Sequence, residues 1–381
     1  MEDFAPTPPP QSGVATTVAK PRPWLREGVL LCLGLKCLLL FVGWVICEIR
    51  LNKGFRETDQ ILGIWNQWDT RHYLDLAKNG YGLPDHSTTL VLPPLFSALI
   101  RGASWITGTI PSGGVLVATL LSFLPGLLLY QLARLDLSED DAFRAMLVLL
   151  LFPSSFFIHI IYTEGLFLTV VFAAFLSARR GHWKLVALFG FLAGLTRINA
   201  FVLAPALLVE AWTSGPRGRI PRMVAALTVF LGVAIYLAFN YAVAGDAFAF
   251  VEVQRRSFYR TFATPWAGAA NVMHLASVGG GDSMINGVVQ VVFIPFMIGA
   301  VAVSLVKQRV SYLIWNIGNI LIFTSQGFWI SMPRLTLVLF PAFIWLAPKT
   351  ARPVFGTLWF AGSTLLLSLL AAQFAQGWWV S

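Results

Sequence analysis

The residues able to do chemistry in this chain are few, and they stand out against a background built for lipid. Two carboxylates, Asp69 and Glu164, and the arginines Arg197, Arg255, Arg256, Arg260 and Arg334 sit in turns or loops between apolar runs. A lone acid can take the proton from an attacking hydroxyl, while guanidinium groups stabilise the charge on a phosphate. That combination suits transfer of a sugar from a lipid phosphate. Phosphate leaves readily, so a base and cations suffice and no general acid is needed. A single in-line displacement inverts the anomeric carbon, whereas glycoside hydrolysis by the usual route needs two carboxylates.

Asp69 lies in Trp65–Tyr81, WNQWDTRHYLDLAKNGY, the most polar and aromatic-rich stretch of the chain. Helical spacing from Trp68 onward places Arg71, Asp75 and Lys78 on one side, where they can pair in water. Asp69, His72, Tyr73, Leu76 and Ala77 fall on the other side, turned toward the membrane or the bundle. Asp is also a favoured helix N-cap. On this segment alone, a cap and a catalytic carboxylate both remain open for Asp69.

Around these residues the chain is 57% hydrophobic and 12% charged, with a mean hydropathy of +0.71. Soluble domains carry about 25% charged residues, so the sequence is that of an integral membrane protein. The net charge of +9 belongs to loop basic residues and has no recognition-module patterning that would indicate nucleic acid. Cys32, Cys37 and Cys47 share the first apolar run without metal spacing and read as small apolar packing residues. No metal cluster of His and Cys, phosphate-loop motif or Gly-rich dinucleotide fingerprint is evident.

Residues 1–23, rich in Pro, Thr, Ser and Gln, read as a disordered cytoplasmic tail, and 24–381 as a single transmembrane domain. Lys20, Arg22 and Arg26 precede an apolar run, Gly28–Ile46, that lacks a small-residue cleavage site and is read as a retained helix. Lys36 in its middle requires a protein partner. Further spans are expected at 113–134, 142–160, 163–178, 184–196, 199–212, 222–243, 287–306, 310–328, 333–347 and 355–374, several of them shorter than the ~20 residues of a full crossing. The basic clusters Arg179–Lys184, Arg217–Arg222, Lys307–Arg309 and Lys349–Arg352 can all be cytoplasmic only if the interrupted apolar stretch 90–107 does not span. It is therefore expected as a juxtamembrane or re-entrant helix in a first outer loop, 49–112, giving eleven crossings.

This topology brings Trp65–Tyr81, the turns Tyr162–Glu164 and Thr196–Asn199, the loop 244–285 and the turn at Arg334 to one membrane face. An intramembrane acid such as Glu164 is functional by default, with a structural pair as the alternative. Arg197 and Arg334 must each find an anion, either a protein carboxylate or a ligand phosphate. Gln254, Arg255, Arg256 and Arg260 suggest an anionic head group, against loop solvation or lipid-phosphate contact. His72 and His159 are weaker candidates, because a lone His is usually a hydrogen-bonded structural residue. The candidate substrate-binding set is Trp68, His72, Tyr73, Tyr162, Glu164, Arg197, Asn199, Gln254, Arg255 and Arg334, with Asp69 catalytic.

These blocks resemble the PIG-V family of GT-C-type glycosyltransferases, whose eukaryotic member adds the second mannose of the GPI anchor. WDTRHYLDLAKNGY is similar to the family's W-D-x-x-H-[FY] segment ending in G-Y, and FPSSFFIHIIYTEGLF to its F-x-P-x-x-x-F…Y-S-E-x-L-F block. GLTRINA is similar to its R-x-N-G turn, and SMPRLTLVLFPAF to the late S-x-P-R segment of related bacterial proteins. Ala200 stands where the family usually has Gly, and VLPPLF (91–96) replaces a more aromatic run. The resemblance implies an all-α GT-C-type bundle of about eleven transmembrane helices with juxtamembrane helices in the first outer loop. It also implies an inverting transferase using polyprenyl-phosphate mannose on the extracytoplasmic face, with a lipid or glycan acceptor. Asp69, Glu164, Arg197 and Asn199 take the family's positions. No cofactor is expected; a divalent ion stays open, with no tightly held metal expected from two main outer acids. The basic N-terminus, modest length and lack of an ER-retrieval signal suggest a prokaryotic relative in the plasma membrane, or an ER enzyme with a lumenal site if eukaryotic.

Two readings from other classes compete. A transporter or flippase of an anionic lipid-linked sugar would use the same arginines, but such proteins often show internal repeats with paired broken helices, and none is evident here. A non-catalytic membrane scaffold leaves the outer acids and arginines without purpose.

Overall fold

The computed structural model describes residues 23–51, 63–81, 84–278, 282–329 and 331–380. The expected disordered tail, with Lys20 and Arg22, lies outside the described residues apart from Pro23, as do 52–62 of the first outer loop and 279–281 of the loop 244–285. Apolar helices dominate: α1 (Trp24–Leu51), α4 (Ile110–Ser122) running into α5 (Leu124–Ala133), α6 (Glu139–Leu150), α7 (Glu164–Arg179), α8 (Trp183–Gly194), α9 (Leu203–Thr213), α10 (Arg219–Ala244), α13 (Asp282–Val292), α14 (Ile294–Lys307), α15 (Val310–Thr324) and α18 (Pro353–Ala375). Between them lie α2 (Asp69–Asn79), α3 (Leu95–Thr107), α11 (Ala249–Phe258), α12 (Pro265–Val278) and two short pieces, α16 (Met332–Leu335) and α17 (Phe340–Leu346).

Five segments among the described residues are long and apolar enough to cross a membrane: Trp24–Ile49, Ile110–Ala133, Arg219–Ala244, Asn286–Val306 and Pro353–Ala375. The chain is an integral membrane protein with an all-helical core, as its composition requires. The six other expected crossings are shorter or broken. The span expected at 142–160 is helical only to Leu150. Pro153 follows, and Ser155 Oγ donates to the Leu150 carbonyl at 2.6 Å. The span expected at 333–347 is broken into α16, a 3₁₀ turn at Thr336–Val338 and α17. Both irregular stretches are buried inside protein, the condition under which non-helical backbone is tolerated at membrane depth. In the stretch 90–107, α3 has thirteen residues and is not among the segments long enough to cross. It packs on α4, where a Cβ at Gly113 would approach the Ile100 carbonyl oxygen to 2.7 Å.

The bundle has two chemically distinct ends. At one, Arg179 binds Asp136 through two nitrogens at 2.7 and 2.9 Å, and buried Glu210 receives Arg309 at 3.1 Å and the Ser311 hydroxyl at 2.5 Å. These contacts tie α7 to the loop after α5, and α9 to the start of α15. The polar turns gather at the other end. Lys36 of α1 donates to the His159 carbonyl oxygen at 2.7 Å and to Thr119 Oγ1 at 3.3 Å, so the first helix is fastened to the irregular segment by its one central charge. His159 takes part through its backbone carbonyl, while its buried ring nitrogens have no hydrogen-bond partner among the described residues.

Small residues let α8 and α10 cross closely. A Cβ on Gly232 would collide with the Phe191 carbonyl oxygen, and one on Gly194 with that of Val229. Helix packing in lipid depends on such close approach. Gly232→Leu is therefore expected to lower stability by about 1–3 kcal/mol or more. Its melting temperature in detergent should fall well below that of Gly299→Leu, whose Cβ meets nothing within 4 Å.

Candidate active site

Asp69 opens α2, and its side chain does not cap that helix. The capping position is Trp68, held at φ 52° with no side-chain capping bond. Three contacts fix α2 to the turn before α7. The Asp69 amide donates to Tyr162 Oη at 3.3 Å, Thr70 Oγ1 donates to the Ile161 carbonyl at 3.2 Å, and the Tyr73 and Thr163 hydroxyls lie 3.4 Å apart. Asp69 is thus presented beside Glu164, the first residue of α7. The cap reading of Asp69 falls because its carboxylate is used elsewhere.

That use is an ion pair. Arg334 Nη1 donates to Asp69 Oδ2 at 2.6 Å, and Arg334 Nε lies 3.3 Å from Glu164 Oε1. The same Glu164 oxygen receives Arg197 Nη1, which also reaches Thr163 Oγ1 at 3.4 Å. Charges therefore alternate along Asp69, Arg334, Glu164 and Arg197. Glu164 is 1% exposed and Arg334 7%. The Arg334 guanidinium also sits 5.2 Å from the Tyr162 ring centroid, an additional cation–π contact. Burial works to raise the Asp69 carboxyl, but the charge and hydrogen bond of Arg334, with lesser help from His72 and Arg260, hold it below its ordinary value.

A cavity of about 170 Å³ opens over this chain of charges. Asp69, His72, Tyr73, Arg197, Asn199, Gln254 and Arg334 all line it, so these turns meet at one end of the bundle. Arg260 joins them. Burial, with the nearby charge of Arg334, pushes the Arg260 guanidinium down to about 10. Asn199 is held by its amide donating to Asn319 Oδ1 at 2.7 Å. His72 is a polar wall residue, its Nδ1 3.4 Å from Thr88 Oγ1. Tyr162 and Glu164 lie beneath the floor and position the lining groups. Trp68 stands at the rim, its ring edge-on to Trp379, which does line the cavity, with its indole nitrogen donating to the Trp378 carbonyl at 3.2 Å.

Arg255 is a correction. It points away from the cavity, its side chain 58% exposed and paired with Glu252 at 2.7 Å. Arg256 joins the same carboxylate. Helix α11 stops at Phe258 because Tyr259 turns left-handed at φ 54°, and this reversal directs Arg260 inward. The basic cluster in the sequence signalled an arginine here but not which one. Asp75 bonds Asn79 on the solvated side of α2, with Lys78 and Arg71 exposed, as the spacing indicated. Among the described residues, no group of three or more His, Cys, Asp or Glu gathers to hold a metal ion.

Residues 56–213 match the sequence model of the mannosyltransferase (PIG-V) family. No curated protein matches. Among solved structures, ArnT from Cupriavidus metallidurans is similar in its undecaprenyl-phosphate-bound and apo forms, with TM-scores of 0.49 and 0.48. Each is 15% identical, and the alignment covers 93% of this chain and 76% of that one. The apo oligosaccharyltransferase of Archaeoglobus fulgidus is 11% identical with a TM-score of 0.40, covering 90% of this chain and 55% of its own. The family match bears out the resemblance to a PIG-V-type glycosyltransferase over the segment that contains Asp69, Glu164, Arg197 and Asn199.

Arg334 neutralises the buried Glu164 and the partly buried Asp69, so Arg334→Met should cost about 3–5 kcal/mol, while Arg255→Met on the exposed surface should cost almost nothing. The pairing has a pH signature as well. Because the folded Asp69 carboxyl is depressed, its contribution is present above about pH 4 and is lost as pH falls through the folded value. Thermal unfolding between about pH 6 and 3 should show wild type losing stability toward acid, with Arg334→Met losing less.

Proposed function

We propose that this chain, whose residues 56–213 match the mannosyltransferase (PIG-V) family, is an inverting hexosyltransferase that moves mannose from a polyprenyl-phosphate donor to a lipid- or glycan-linked acceptor. One observation carries the reading: a single carboxylate able to act as base shares one cavity with three guanidinium groups. Arg197, Arg260 and Arg334 against Asp69 and Glu164 leave one positive charge in excess. A phosphate head group would balance it.

In the reaction, the acceptor hydroxyl oxygen attacks the anomeric carbon as the bond from that carbon to the phosphate oxygen breaks. The hydroxyl proton passes to Asp69, and the departing polyprenyl phosphate carries its new charge into the arginine cradle. Arg334 links the two events. Without donor it binds Asp69 and weakens it as a base. A phosphate drawn to the same guanidinium brings negative charge beside Asp69 and raises its proton affinity. Base strength is thus greatest when donor is in place.

The two ends of the bundle support one choice of membrane face. Arg179, Arg222, Arg309 and Arg352 stand at or beside ends of α7, α10, α15 and α18, helices whose opposite ends reach the cavity or its supporting turns. If basic loops are cytoplasmic, the cavity opens on the extracytoplasmic side. A polyprenyl chain can then lie among the helices while its head group enters the cavity.

Asp69→Asn should reduce sugar transfer from polyprenyl-phosphate mannose in vesicles by about 10²–10⁴-fold at unchanged protein level. The product should carry the inverted anomeric configuration by NMR. Undiminished transfer would remove Asp69 from its role. Movement of the lipid-linked sugar across the bilayer with no cleavage at the anomeric carbon would favour a flippase instead.

A further inference from the structure

The cavity has a second wall, built from 325–329 and Ser331, that proton transfer and phosphate binding do not use. This stretch is held against the outer loop. The Ala263 amide donates to the Ser325 carbonyl at 3.3 Å, the Gly327 amide to that of Thr261 at 2.8 Å, and Asn271 Nδ2 to the Gly327 carbonyl at 2.6 Å. Gln326 and Ser331 from this wall both line the cavity.

Their polar atoms are unusual. Ser331 is 1% exposed and its hydroxyl has no partner among the described residues. The Gln326 side-chain oxygen is likewise buried without a partner among them, although its nitrogen donates to the Ile322 carbonyl at 3.3 Å. Buried polar groups are paired as a rule, and the exceptions call for a physical reason. Ser331 also adopts φ 70°, where a side chain is strained and glycine would be at ease. Glycine would satisfy the backbone at this position, so what serine adds is its hydroxyl.

Both groups are neutral, so neither competes with the arginines for phosphate. An amide oxygen accepts and a hydroxyl both donates and accepts, which is the complement of sugar hydroxyls. Their location selects which sugar. Ser331 is three residues from Arg334 in the same tight turn, and in the donor the hexose is bonded directly to the phosphate that Arg334 would hold.

We propose that Gln326 and Ser331 form the subsite that reads the hydroxyl groups of the donor hexose, beside the phosphate cradle of Arg197, Arg260 and Arg334. This rests on the transferase reading of the same cavity. Gln326 accepts a hydrogen bond from one ring hydroxyl and Ser331 exchanges one with another. A donor lacking either hydroxyl leaves a buried group unpaired and is rejected.

The test compares kcat/KM for polyprenyl-phosphate mannose and its monodeoxy analogues in wild type, Ser331→Ala, Ser331→Gly and Gln326→Leu. Wild type should prefer the parent sugar over at least two analogues by about 10–100-fold. Ser331→Ala and Ser331→Gly should both reduce the preference at one ring position to within about threefold. Gln326→Leu should do so at a different position. Ser331→Gly suits the local φ and keeps the comparison available if Ser331→Ala does not fold. Unchanged preferences in folded variants would overturn the subsite. A wild type that transfers no hexose from any such donor would overturn the transferase reading, and the subsite with it.

Discussion

A guanidinium buried among carboxylates at the end of a membrane bundle is the constraint on which the rest of the structure depends. Neither Glu164 nor Arg334 could be left alone in this environment, since an unpaired charge there is far costlier than a pair. Arg334 bridges Asp69 and Glu164, and Glu164 in turn binds Arg197. The pairing joins residues 265 apart in sequence, so the C-terminal part of the chain must close over the segment that carries Asp69 before Asp69 meets Arg334. The site and the fold are in that sense one interaction.

Such an arrangement needs irregular backbone at depth, and the chain supplies it in three places. The stretch between α6 and α7, the turn between α8 and α9, and the approach to α16 all leave helical geometry and deliver Tyr162, Arg197 and Arg334. In lipid each freed amide or carbonyl would be expensive. Here the cost is offset by nearby polar groups: Ser155 on the Leu150 carbonyl, Thr70 on that of Ile161, and Lys36 on that of His159. The short helices are a consequence of building a polar chamber between them.

The opposite end carries charge pairs of a different kind. Arg179 with Asp136, and Arg309 with Glu210, join neighbouring helix ends. Two carboxylate–arginine pairs there tie elements together. At the cavity end the arginines outnumber the acids, and the surplus charge faces space. Identical residue types thus fasten helices at one end and line a cavity at the other, and the distinction is made by geometry and stoichiometry.

Local patterning alone settled a good deal. Composition fixed the solvent, because so few charges cannot coat a soluble surface. The spacing in Trp65–Tyr81 separated the wet face of α2, with Lys78 and Arg71, from the buried one with Tyr73, Leu76 and Ala77. The charge of the loops grouped Asp69, Gln254, Arg197, Asn199 and Arg334 at one end. What spacing could not supply was partner choice. Helical periodicity reports a direction around an axis and says nothing about what lies there. It left Asp69 open as a cap when Arg334 holds it. It could not tell Arg255 from Arg260, because the left-handed turn at Tyr259 decides which one faces inward. It drew continuous spans through 142–160 and 333–347, since an apolar run looks the same whether it stays helical or breaks where protein encloses it. Ser331 gave no signal at all: a serine's worth depends on burial and on an unpaired hydroxyl, and only the folded chain creates either.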